Sequence, residues 1–190
     1  MYRNNLSGAE FWTSPHKAIT LLGMSGAGKT TLASRLPQRT WFHYSGDYRI
    51  GTRYLGEAIL DNAKREAMKS PLLAELLRSD SIYLCNNITV SNLKPLSGFL
   101  GMVGDPALGG LGIDEFKRRQ ALHRDAEVCS MLDVREFIDK SLEIYGYPHF
   151  INDAGGSLCE LDEPGVLEQL AEDTLIVYLK PSDEMLEKII

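Results

Sequence analysis

The segment Gly23-Met24-Ser25-Gly26-Ala27-Gly28-Lys29-Thr30 constrains this chain more than any other. It fits G-x-x-x-x-G-K-[ST] in full, and chance gives such a match in a chain of 190 residues about once in a hundred. Its context adds weight. A short apolar run, Ile19-Thr20-Leu21-Leu22, reads as a buried strand before it, and 29–36 reads as a helix after it, stopped by Pro37. Glycines let the backbone wrap a polyphosphate, while successive N–H groups and a helix N-terminus turn positive dipole toward it. Gly23, Ser25, Gly26, Ala27, Gly28, Lys29, Thr30 and Thr31 are therefore the candidate nucleotide-binding residues. Lys29 would bridge the β- and γ-phosphates, and the Thr30 hydroxyl would ligate Mg²⁺.

Strand and helix signals alternate beyond this point. Residues 40–44 read as an aromatic strand closing at Ser45-Gly46-Asp47, and Thr52 reads as the cap of a helix running to about 68. Ser70-Pro71 opens another helix whose core face is Leu72, Leu73, Leu76 and Leu77. Residues 114–131 read as helix, and Asp133-x-x-Glu136 as a capping box for the next. Val134, Phe137, Ile138, Leu142 and Tyr145 form that helix's stripe, and Gly146 ends it. His149-Phe150-Ile151-Asn152-Asp153 is a third strand, Glu163-Pro164 opens a helix, and 174–179 is the clearest buried strand.

The pattern predicts one α/β domain, a three-layer, doubly wound fold with a mainly parallel sheet. Residues 1–17 read as an arm, and 81–147 as a helical insertion whose glycines and prolines crowd 81–111. Ser182 reads as the cap of a last helix, still apolar at Ile189-Ile190. An apolar stripe there needs a partner, so the native protein is expected to continue past Ile190.

Composition narrows the partners. Twenty Lys and Arg against 26 Asp and Glu give a net charge of −6, which argues against a dedicated nucleic-acid binder. No run is long and apolar enough for a membrane span. The three cysteines form no C-x-x-C pair, so a reduced cytoplasmic protein with small core thiols is expected.

A triphosphate site needs an acidic residue near its metal, and Asp153 at the end of a strand is the candidate. Asp153-Ala154-Gly155-Gly156 also satisfies D-x-x-G, a pattern that reads a γ-phosphate through a glycine N–H, although no guanine-reading N-K-x-D follows. Asp47 closes the second strand, where a carboxylate can orient an acceptor hydroxyl or hold a metal-bound water. Arg49 and Arg53 could clamp an anionic acceptor. Ordinary turns and surface arginines are the bland alternatives. Lys117, Arg118, Arg119 and Arg124 share a predicted helix; the plain reading is a solvated face laced by Glu115 and Asp114, and the sharper one is a source of transition-state charge. His43 and His149 read as packed strand residues.

The phosphate loop together with Gly46-Asp47-Tyr48-Arg49, a G-D-x-R at a strand end, resembles the small-molecule P-loop kinases such as adenylylsulfate kinase. Shikimate and nucleoside monophosphate kinases share that layout, and the chain is also similar to an uncharacterised bacterial family of ATP-binding proteins. The resemblance implies a P-loop NTPase fold of five parallel strands, of which four are readable here. It implies ATP and Mg²⁺ as cofactors, Lys29, Asp47 and Asp153 as catalytic residues, and Thr30, Asp47 and Asp153 around the metal. The expected activity is γ-phosphoryl transfer from ATP to a small acceptor. The alternative is an ATPase switch that works with a protein partner or a second copy of the chain.

Overall fold

In the computed structural model, residues 7–156, 158 and 163–182 are described. In chain order the elements are α1 (Gly8–Thr13), β1 (Lys17–Leu22), α2 (Lys29–Arg35), β2 (Trp41–Ser45), α3 (Gly46–Arg49), α4 (Gly56–Ala67), α5 (Pro71–Arg78), α6 (Lys94–Leu100), α7 (Ile113–Leu132), α8 (Val134–Glu143), β3 (His149–Asp153), α9 (Pro164–Asp173) and β4 (Leu175–Tyr178). A π-helical turn, Ile50–Tyr54, sits between α3 and α4, and a 3₁₀ turn, Pro106–Leu108, between α6 and α7. Two compact units result. The first holds the described residues up to Gly46 and from Glu127 on; the second is Asp47–Ala126. The expected insertion, 81–147, overlaps the second unit over 81–126, and its remainder falls in the first.

The first unit is built on a four-stranded, all-parallel sheet in the order β2-β3-β1-β4. The step from β1 to β2 passes over β3, and the step from β3 to β4 passes over β1 the other way. Right-handed crossovers running in opposite directions put helices on both faces. Side-chain alternation then divides the sheet. Ala18, Leu22, Tyr44 and Phe150 pack with Met131, Val134, Val166 and Leu170 on one face. Leu21 and Ile151 pack with Ala33 of α2 on the other. Burial on both faces explains why β1 reads as an apolar run instead of an alternating one.

β4 departs from expectation. It is an edge strand, with Leu175, Ile176 and Val177 half-buried and Tyr178 59% exposed. Its apolar composition records strand propensity, whereas strand order decides which strand has a neighbour on both sides. The fully buried residue is Thr174, just before it. Its hydroxyl donates to Leu170 O at 2.7 Å. Thr20 Oγ1, 2.7 Å from Thr174 Oγ1, must therefore donate to it, which leaves Thr20 free to accept from Asn152 Nδ2 at 3.2 Å. This polar thread crosses the sheet interior.

α8 closes the same core, with differences from the sequence reading. Asp133 keeps helical dihedrals (φ −66°, ψ −19°), so its side chain makes no cap and the capping box does not form. Val134, Phe137 and Ile138 face inward together with Ser141, while Leu142 and Tyr145 are exposed. Gly146, at φ +70°, ends the helix as expected, with its N–H on Leu142 O and that of Tyr147 on Ser141 O.

In the second unit, Thr52 caps nothing. It lies inside the π-helical turn, its hydroxyl donates to Tyr48 O at 2.7 Å, and α4 starts only at Gly56. The five-residue step, Leu55 N–H to Ile50 O at 2.8 Å, brings Ile50 and Leu55 into the core with Ile59, Ile88, Leu96 and Phe99. α5 buries Ala74 and half-buries Leu76 and Leu77, whereas Leu72 is 64% exposed and Leu73 is also exposed. Ser70 precedes Pro71 at its start without a side-chain cap bond. Cys85 and Cys129 are exposed, against the expectation of core positions, and Cys159 lies outside the described residues, as does the expected last helix.

Arg119 is the polar anchor of this unit. Its guanidinium is buried, donates to Asn62 Oδ1 at 2.8 Å, to Phe99 O and to Glu115 Oε1 at 2.7 Å, and lies over the Phe99 ring. Glu115 also accepts two bonds from Arg118. Those hydrogen bonds, Arg118's first, pull the Glu115 carboxyl from 4.5 to about 2. A depressed carboxylate pKa stabilises the fold above the unfolded value and loses that contribution as pH falls toward the folded one. Wild type is therefore expected to lose stability relative to Glu115→Gln between pH 4.5 and about 2. Urea unfolding followed by circular dichroism at stepped pH checks it; a constant difference between the two proteins would contradict it.

Candidate functional site

The glycine loop leaves β1 through Gly23, whose φ of +145° favours glycine. A Cβ there would lie 2.6 Å from Leu179 O, in the segment after β4. Gly26 (φ +82°) turns the chain, Ala27 N–H closes on Met24 O at 3.2 Å, and Gly28 caps α2 in the left-handed region. The first helical bond of α2 is Leu32 N–H to Gly28 O at 2.9 Å. The N–H groups of Lys29, Thr30 and Thr31 consequently have no partner in the helix ladder and give the loop its positive end.

Lys29 folds back across this loop. Its side chain is buried, and Nζ donates to Gly23 O at 2.7 Å and Met24 O at 3.0 Å. Ser25, Gly26, Thr30 and Thr31 are exposed, while Ala27 is buried. An ammonium held by loop carbonyls, three uncommitted amides and an exposed hydroxyl fit a polyphosphate. The loop is lined by donors.

β3 lies beside β1, with Asp153 opposite Leu21 and, on the other side, opposite Ser45. Asp153 is nearly buried, and its Oδ2 is 3.6 Å from His43 Nε2, which has no hydrogen-bond partner. The sequence reading took His43 as packing alone. The missed signal is register: residues 43 and 45 share a face with 151 and 153 once β2 pairs with β3. Asn152 was missed too, its amide donating to Thr20 and its Oδ1 buried without a partner.

Glycines join the strand-end loops. A Cβ on Gly156 would lie 2.8 Å from Ser25 N, and one on Gly46 would lie 3.3 Å from Gly155 N and 2.9 Å from the Met131 methyl. Together with Gly23 against Leu179, each neighbouring pair of loops at the carboxyl ends of the strands meets through a glycine.

The expected site residues fall into two groups. Lys29, Thr30, Thr31 and Asp153 belong to the first unit with the glycine loop; Asp47, Arg49 and Arg53 belong to the second. Asp47 is half-buried in the first turn of α3, the Arg49 guanidinium lies 5.8 Å from the Tyr54 ring centre, and Arg53 is exposed. Within the basic cluster Arg118 and Arg119 are not free charge, since both are held by Glu115. His149 behaves as the packed residue expected. Its Nδ1 accepts from Lys17 N–H, its ring rests on Trp41, and burial followed by the Lys17 charge holds its pKa below the usual value.

Among the described residues no group of three or more His, Cys, Asp or Glu could hold a metal ion. Magnesium bound largely through phosphate oxygens and water requires no such cluster, and Thr30 with Asp153 suits that mode. Among the described residues, too, no helix is long and apolar enough to cross a membrane. Comparison with protein-family models, with curated proteins and with solved structures finds no match to this chain.

The close loop contacts have a direct consequence. Gly23→Ala is expected to cost about 2–3 kcal/mol, because it combines overpacking against Leu179 O with a strained φ. Gly8→Ala is the control, since a Cβ there meets nothing within 4 Å. Denaturant midpoints measure both, and equal midpoints would show that the Gly23 contact relaxes freely.

Proposed function

We propose that this chain binds ATP with Mg²⁺ on the glycine loop and transfers the γ-phosphoryl group to a small-molecule acceptor. The observation that carries the reading is the buried Lys29 ammonium folded over a strand–glycine loop–helix turn whose amides point to no internal partner. The nearly buried Asp153, on the strand next to β1, supports it. The reading extends to a P-loop NTPase identity for the α/β fold and, with an exposed thiol at Cys85, to a reducing cytoplasmic setting.

In this reading Lys29 exchanges its two carbonyl partners for phosphate oxygens, and the amides of 28–31 bind the β-phosphate. The Thr30 hydroxyl and the Asp153 carboxylate would be the residues that hold the metal, directly or through water. Magnesium, when bound, neutralises charge that develops on the transferring group. Asp47, Arg49 and Arg53 belong to the second unit, where the two guanidinium forks suit an anionic acceptor and the carboxylate suits a hydroxyl. His43 lies beside Asp153, with Nε2 3.6 Å from Oδ2.

A second reading, a nucleotide-dependent switch acting on a macromolecular partner, is favoured by one contact. Gly156, the last residue of Asp153-x-x-Gly156, packs on the Ser25 backbone, so a shift of the glycine loop is felt directly by the segment after β3.

Titration of a fluorescent ATP analogue is expected to show Lys29→Ala weakened by about 10–100-fold, the scale of one charge-assisted hydrogen bond. Asp153→Asn should bind nearly as wild type yet lose about 100-fold in Mg²⁺-dependent turnover. Unchanged affinity in Lys29→Ala would reject the nucleotide site. Labelled ATP with a metabolite panel separates the two readings: transfer to an acceptor supports the kinase, and hydrolysis alone across the panel rejects it.

A further inference from the structure

Beyond the nucleotide loop, the second unit contains a cavity of about 320 Å³ on the face shared by α4 and α6. That size sits at the small end of the roughly 300–1,000 Å³ typical of small-molecule sites. Ile59 and Ala63 of α4, Leu84, and Pro95 and Phe99 of α6 form an apolar wall. Its polar groups are fixed from behind. Asn62 turns its Oδ1 to the Arg119 guanidinium at 2.8 Å, which leaves its NH₂ as a donor. Asn86 is tied by its own Nδ2 to Gly56 O at 3.1 Å. Lys94 adds an exposed cation, and no acidic side chain lines the cavity.

Gly98 supplies an independent observation. It lies within α6, where glycine is the poorest helix former after proline. Its φ is not positive, and a Cβ there would meet nothing within 4 Å. Neither backbone conformation nor close packing calls for glycine at this position. What its missing side chain leaves is space in the cavity wall.

We infer that this cavity binds a small ligand with an apolar body and a carboxylate head, the body lying along Gly98 and Phe99 and the head meeting Lys94 and the Asn62 amide. With the Asn62 NH₂ as donor, Lys94 as cation and no acid in its lining, the pocket favours an anionic head over a cationic or neutral one. The inference stands on the second unit alone and goes beyond the nucleotide reading.

Cys85, a free exposed thiol, lines the same cavity and reports on its occupancy. The test uses the full chain. The rate of Cys85 alkylation is followed by peptide mass spectrometry with 3-phenylpropionate, 4-methylpentanoate, 3-phenylpropanol or 3-phenylpropylamine present, and with Cys129 as reference. Either carboxylate is expected to slow Cys85 saturably and leave Cys129 unchanged; the alcohol should protect less and the amine not at all. Gly98→Leu should abolish protection while raising the melting temperature by roughly 2–4 °C. Lys94→Gln, an exposed change that keeps the fold, should weaken protection by the carboxylates about fivefold and leave the alcohol unaffected. Absence of protection by both carboxylates, equal protection by the amine, or full protection in folded Gly98→Leu would each overturn the inference.

Discussion

The parallel pairing of β1 with β3 is the constraint on which the first unit depends. It sets Lys17 opposite His149 and Leu21 opposite Asp153, so strands more than a hundred positions apart lie side by side and finish together at the carboxyl edge of the sheet. Parallel neighbours cannot be joined by a tight turn, so the intervening chain must leave the sheet and return. The candidate site of that unit lies where β1 and β3 end together. The glycine loop follows one strand, Asp153 closes the other, and ligand sites in open α/β sheets form at such reversals of strand order.

Closeness at that edge is bought with glycine. Wherever one strand-end loop meets the next, a side chain would collide: Gly23 with Leu179, Gly156 with Ser25, Gly46 with Gly155 and Met131. The glycine loop is thus held from both flanks instead of hanging from β1 alone. Beneath it, Thr174, Thr20 and Asn152 hand one hydrogen bond to the next through a fully buried layer. Such a thread is satisfied only with the strands in this order, which ties register to burial.

The second unit solves a different problem. Its elements are all helical, and its core accepts a guanidinium. Arg119 is tolerated there because Glu115, Asn62 and the Phe99 carbonyl satisfy its fork and the Phe99 ring covers its face. The same contacts fix Asn62 and Phe99, which are cavity walls. A residue that looked like loose surface charge is the peg on which that pocket hangs.

How much of this was legible follows from the range of each interaction. The strand–glycine loop–helix unit could be read because its determinants are local: an apolar run, glycines at turns, Lys29 at a helix start and Pro37 after its end. β3, the Gly146 helix stop and α7 were readable for the same reason. What could not be read was anything set by neighbours distant in sequence. The apolar run of β4 gave no sign that it would be an edge; Thr52 matched a cap but fell inside a π-helical turn; Leu72 and Leu73 matched a core stripe but face solvent. His43 acquired a carboxylate neighbour only when β2 and β3 paired, and Arg119 a role only when α4 and α6 packed beside α7. Sequence by itself determined the α/β class and the turn of the glycine loop into α2, since propensity and glycine conformation act within a few residues. Tertiary structure alone decided which polar side chains are buried and which charges are already paired, because burial and pairing depend on what the fold brings alongside.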